Sequence, residues 1–266
     1  MSRAMVLVSE TLSFFKKNIG FSFGEIFFYF VWWISASIIF LPLLFIGFLG
    51  KFLYVIILVA VIALKSSHVF SQIVRKAAGV DVSGKFTDKA ILARSGKVFL
   101  FFLILAFAWS LVLLMITFMY GFVSGPNGAV ANAVNDGDWL VVYEDMTSNL
   151  GLHFILMVVM SFGYALVSSK ITALSLDHDR DNEVLEKDKV IDFAAALLAF
   201  YVVYTLLAFV IFVLFEFVGY FALPLFIVLA FAFSVIFPAL HGVRCRLARD
   251  EDSGSDGMAV LPNEGM

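Results

Sequence analysis

Residues 98–120, VFLFFLILAFAWSLVLLMITFMY, contain no charged side chain. Few folds accept such a run. The hydrocarbon core of a bilayer is about 30 Å thick, and a helix rising about 1.5 Å per residue crosses it in about 20 residues. Inside lipid the backbone must satisfy its own polar groups, which a helix does within one segment. The run predicts a transmembrane helix. Residues 26–49, with Pro42 inside, and 151–169, with His153 at the edge, predict two more. Residues 193–240 hold a single charge, Glu216, and are too long for one crossing. Dividing them near Glu216 and Gly219 gives spans at 193–214 and 219–240. The apolar stretch 52–64 is too short alone, so its helix is expected to continue through Lys65 and His68 to about Val74, making a span of 52–74. Lys65 would then snorkel toward the headgroups. The reading is an all-α, polytopic bundle of six spans, arranged as three hairpins within residues 21–247.

Composition and charge agree. Hydrophobic residues are 62% and charged residues 15%, against about 45–50% and 25% in soluble domains. Mean hydropathy is +1.00. Seventeen of the 18 lysines and arginines fall in four stretches, at the N-terminus, 65–97, 170–192 and the C-terminal tail. Six spans place all four on one side and leave only Lys51 on the other; five or seven spans break this partition. By the positive-inside rule both termini are expected in the cytoplasm, with the chain in a bacterial inner membrane.

The first 20 residues lack a cleavable signal pattern. Met5, Val8, Leu12, Phe15 and Ile19 make one apolar stripe, so residues 1–20 are expected to form an amphipathic helix. It either lies in the cytoplasmic interface or extends the first span. Residues 248–266 read as a disordered acidic tail. Each hairpin follows a mixed polar segment, and TDKAI before the third span resembles KDKVI before the fifth. This is either a threefold internal repeat or a chance match between helix leads.

Phe14, Phe15 and Asn18 match an xFFxxN opening, and Gly79, Val80, Val82 and Ser83 match a G-V-x-V-S link. On these motifs the first 110 or so residues resemble the YciC-like six-helix bacterial inner-membrane proteins. The resemblance implies a six-helix membrane fold and brings no catalytic residues. The 30-residue loop after the third span departs from the pattern.

Candidate chemistry is sparse. Asp177, Asp179, Asp181 and Asp188 fall near calcium-loop spacing. Asn182 stands where the turn glycine belongs, and Asp188 replaces the bidentate Glu. The other reading is a solvated, self-repelling loop. Glu25 and Lys65 lie at adjacent ends of the first hairpin, either as an intramembrane pair or as two snorkelling side chains. Ser161, Gly163, Ser168 and Ser169 give the fourth span a small, polar face suited to close packing. Pro42, Pro224 and Pro238 are expected to kink their helices. Trp139 and Tyr143 are candidate interface anchors, and Cys245 is a lone membrane-proximal thiol. The histidines at 68, 153, 178 and 241 are scattered.

The net charge of −3 leaves no basic surplus for nucleic acid. One cysteine excludes a disulfide framework or thiolate cluster. No HExxH, GxSxG, P-loop or GxGxxG pattern is present, and no cofactor is expected. The expectation is a non-enzymatic accessory or assembly subunit, acting in the lipid bilayer through protein partners or as a homo-oligomer. The alternative is a small-solute or lipid transporter or channel, its path lined by Ser35, Ser37, Ser110, Ser161 and Tyr164. A lipid-modifying enzyme would need carboxylates or histidines converging at one interface.

Overall fold

The computed structural model describes residues 2–80, 82, 88–124, 150–176 and 190–258. These are helical almost throughout: α1 (Arg3–Lys17), α2 (Ile19–Phe40), α3 (Gly47–Ala77), α4 (Lys89–Ser124), α5 (Leu150–Leu176), α6 (Val190–Val218) and α7 (Leu223–Met258). Short 3-10 turns at Leu41–Phe45 and Gly219–Ala222 join α2 to α3 and α6 to α7. Six helices are long and apolar enough to cross a membrane. The chain is an all-helical integral membrane protein.

Local chemistry explains the boundaries. Ser2 caps α1, its hydroxyl accepting the Met5 N–H. Asn18 ends α1: its backbone N–H and its side-chain amide both donate to the Phe14 carbonyl. Pro42 sits in the 3-10 turn that closes α2, so it ends the helix rather than kinking it. Pro224 lies in the first turn of α7, where a missing N–H costs nothing. Of the three, only Pro238 is in a helix interior. The turn between α2 and α3 falls at 41–46, several residues before the break expected near 50, because Pro42 and the positive φ of Gly47 act there.

The C-terminus of α3 is a Schellman motif. Gly79 takes φ +72°, its N–H donates to the Lys76 carbonyl, and the Val80 N–H donates to the Arg75 carbonyl. Val80 then packs on Val74, Ala78, Leu176 and Cys245. This supplies a physical role for the Gly79–Val80 motif. Cys245 is buried, so its thiol belongs to this cluster and not to the membrane surface.

Contacts divide the chain into residues 1–99 with 164–266, and residues 100–163. In the larger unit α3 packs on α7, α2 on α3, α6 on α7, and α1 on both α6 and α7. The α3–α7 seam is close because residue 242 is glycine. A Cβ there would meet the Val74 carbonyl oxygen, with Ala77 Cβ at 2.6 Å and Ala78 N at 2.8 Å. In the smaller unit Trp109 of α4 lies against Gly163 of α5, 2.7 Å from where a Cβ would stand.

α1 buries Leu7, Thr11 and Phe14, while Met5 and Leu12 of the stripe, and Ile19 at the start of α2, are exposed. The helix has a second apolar face, and the one legible as a stripe turns outward. The last helix continues to Met258, into the stretch expected as a disordered tail. Ion pairs hold this end: Arg246 to Glu10 at 2.9 Å and Arg3 to Glu251 at 3.0 Å. Arg249 also donates to the Ala78 carbonyl at the end of α3.

Candidate functional site

On α5, Tyr164, Ser168, Thr172 and Ser175 recur at helical spacing on one side, and all four are buried. On α7, His241 and Arg244 are three residues apart, so they share a face. Both are fully buried. The two faces meet in the larger unit. His241 Nε2 lies 2.9 Å from the Tyr164 hydroxyl, and its Nδ1 lies 2.8 Å from Thr172 Oγ1. Thr172 Oγ1 also donates to the Ser168 carbonyl at 2.8 Å. Arg244 Nη1 donates to Ser168 Oγ at 2.6 Å, and that hydroxyl donates to the Ala165 carbonyl at 2.6 Å.

Proton counting assigns directions. The single Thr172 proton goes to the Ser168 carbonyl, so His241 Nδ1 carries hydrogen and donates to Thr172. Nε2 then holds a lone pair and accepts from the Tyr164 O–H. One neutral imidazole, with one donor and one acceptor, satisfies both neighbours. Rings enclose it: Phe70 of α3, Phe193 of α6 and Phe237 of α7 lie 5.4, 5.1 and 5.6 Å from His241 by ring centroids. The Arg244 guanidinium stands 4.7 Å over the Phe193 ring, a desolvated cation–π contact worth about 2 kcal/mol. Four helices therefore converge on two side chains of α7.

With both ring nitrogens engaged, His241 has no lone pair left for a metal. No group of three histidine, cysteine or acidic side chains converges among the described residues. The arrangement is a directed hydrogen-bond relay closed inside the fold, and it joins α5 to α7. Interhelical hydrogen bonds in lipid contribute about 0.6–2 kcal/mol each.

The residues singled out from sequence are placed as follows. Glu25 of α2 and Lys65 of α3 come near enough for Coulombic attraction, and Lys65 is buried at 8% exposure. His68, one turn on, is also buried and feels the charges of Lys65 and Arg94. Asp177, Asp179, Asp181 and Asp188 lie outside the described residues, as do Trp139 and Tyr143. Ser35, Ser37 and Ser110 each donate to the carbonyl four residues back on their own helix, to Val31, Trp33 and Ala106. Ser35 and Ser110 are exposed, whereas Tyr164 is buried in the relay.

Sequence reasoning named Tyr164, Ser168 and Arg244 separately, as pathway, packing face and topological charge, and it left His241 isolated. The i, i+4, i+8 polar stripe of α5 was the available signal, matched by the i, i+3 pair on α7. No family model matches this chain, and no curated protein or solved structure is detectably similar to it.

Proposed function

We propose that this integral membrane protein is non-enzymatic and serves as an accessory or assembly subunit of a membrane complex. In this reading it sits in a bacterial inner membrane with both termini in the cytoplasm, as a relative of the YciC-like group. The observation that carries the proposal is the closure of the polar cluster. His241, Thr172 and Ser168 spend their hydrogen bonds on one another, on Tyr164 and on backbone carbonyls, and Arg244 Nη1 is spent on Ser168. A catalytic or transport site keeps polar groups for its substrate. Of the serines of the alternative transport path, Ser35, Ser37 and Ser110 turn onto their own helices instead, whereas Ser161 is buried with its hydroxyl unbonded among the described residues. Large apolar side chains are exposed, including Phe28, Trp33, Ile38 and Ile39 along α2, which fits lipid and partner helices.

The test pairs two measurements on the full-length protein. Proteoliposomes should show no ion or small-solute flux above protein-free vesicles. A photoreactive residue at Trp33 or Ile38 should yield, in intact cells, a discrete adduct with one partner or a second copy. Flux that is lost on His241→Leu substitution would establish the transporter instead.

A further inference from the structure

The helices α2, α3 and α7 enclose a groove of about 610 Å³ on the larger unit, within the usual range of ligand sites, about 300–1,000 Å³. Its rim is open, since Phe27, Ile227 and Val228 are exposed by more than half. Its lining includes Phe70 and Phe237, two of the rings packed on His241. The lining is almost wholly apolar, and all three helices are membrane spans. A second groove, between α1, α6 and α7, holds about 280 Å³, below that range.

One end of the larger groove carries charge. Phe231 of α7 closes it against Phe23 of α2 and Phe15 of α1, with ring centroids 6.0 and 6.3 Å away. Lys16 and Lys17 follow Phe15 directly and are exposed. Lys76 is exposed too, and its ammonium stands 5.7 Å over the Phe21 ring, half a turn before Phe23. Three exposed lysines thus lie within a few residues, or one ring, of the aromatic side chains at this end of the slot. The acidic residues of the adjoining turns, Glu10 and Glu25, already face Arg246 and Lys65.

We propose that this groove binds one anionic phospholipid, its acyl chain between α2, α3 and α7 and its phosphate at Lys16, Lys17 and Lys76. Apolar lining alone would accept any chain in the bilayer; the lysine cluster selects the headgroup, at roughly fivefold in affinity per lysine. The site requires only that the three helices lie in lipid, whatever the protein assembles with.

The experiment uses full-length protein in phosphatidylcholine vesicles containing phosphatidylglycerol with a diazirine in its acyl chain. After illumination, label should concentrate on residues 23–30 and 227–237. Unlabelled phosphatidylglycerol should compete far better than phosphatidylcholine. The K16Q/K17Q/K76Q variant should keep label in the groove but lose this preference. Ala230→Phe, which fills the slot from an exposed lining position, should lose groove label while unfolding at the wild-type temperature. The proposal is overturned if wild-type label spreads evenly over exposed residues such as Leu166 and Phe209, or if the two lipids compete equally. Unchanged labelling of Ala230→Phe also overturns it, as does groove occupation by a second copy or another protein, cross-linked through position 27.

Discussion

The two halves of α3 have opposite fates. Residues 52–64, FLYVIILVAVIAL, are the more apolar, and none is buried. Residues 65–77, KSSHVFSQIVRKA, are the more polar, yet Lys65, Ser67, His68, Ser71, Gln72, Ile73 and Val74 are all buried. In water this order would be reversed, because apolar burial drives folding there. In lipid the tails are as apolar as leucine, and association comes from packing and polar contacts. The same inversion runs along α5, where Leu166 is 70% exposed and Ser168 is at 0%. Such exposed surface far exceeds what a soluble monomer tolerates.

This contrast can be broken most directly at Val59, midway along the apolar half and 59% exposed. Val59→Lys should cost about 2.5–3.5 kcal/mol of insertion free energy, measured by translocon-mediated insertion of α3 in the intact chain. Val59→Leu at the same site should change it by under about 0.5 kcal/mol. A tolerated lysine would mean that the exposed half does not face hydrocarbon.

The packed half should answer to volume. Gly242→Ala places a methyl on the Val74 carbonyl and should destabilise the fold by about 1–3 kcal/mol, read from unfolding in bicelles. Polar pairing is expected to be weaker. His241→Leu removes the acceptor of Tyr164 and a partner of Thr172, and should cost about 1–2 kcal/mol. In a double-mutant cycle, Tyr164→Phe should reduce that cost by about 0.6 kcal/mol; strict additivity would deny the relay. The smallest effect is expected at Ser22, fully buried with no hydrogen-bond partner among the described residues. Ser22→Ala should be neutral or stabilising by up to about 1 kcal/mol, and a clear loss would reveal a bound water or ligand there.

Much of the fold was legible. Charge-free runs located six spans, and the helix expected through Lys65 and His68 runs unbroken to Ala77. The ends were harder. Pro42 signalled a kink but produced a turn, because Gly47 lay close enough to reverse the chain. The acidic composition of residues 248–258 signalled disorder, while Arg3, far away in sequence, pairs with Glu251. The candidate site was legible only as parts. Thr172 attracted no notice, and Arg244 was counted only as a topological charge.

From the sequence alone came the solvent of each segment and the number of crossings, because hydropathy is a property of a single helix and lipid acts on each span separately. Which polar groups meet was decided by tertiary packing. His241 finds Thr172 and Tyr164 across 69 and 77 residues of chain, and this depends on the rotational register of α7 against α5. That register follows from Gly242 letting α7 approach α3, from α1 lying across α6 and α7, and from the rings of Phe70 and Phe193 filling the remaining space. Such fits are pairwise and three-dimensional, and no one-dimensional pattern contains them.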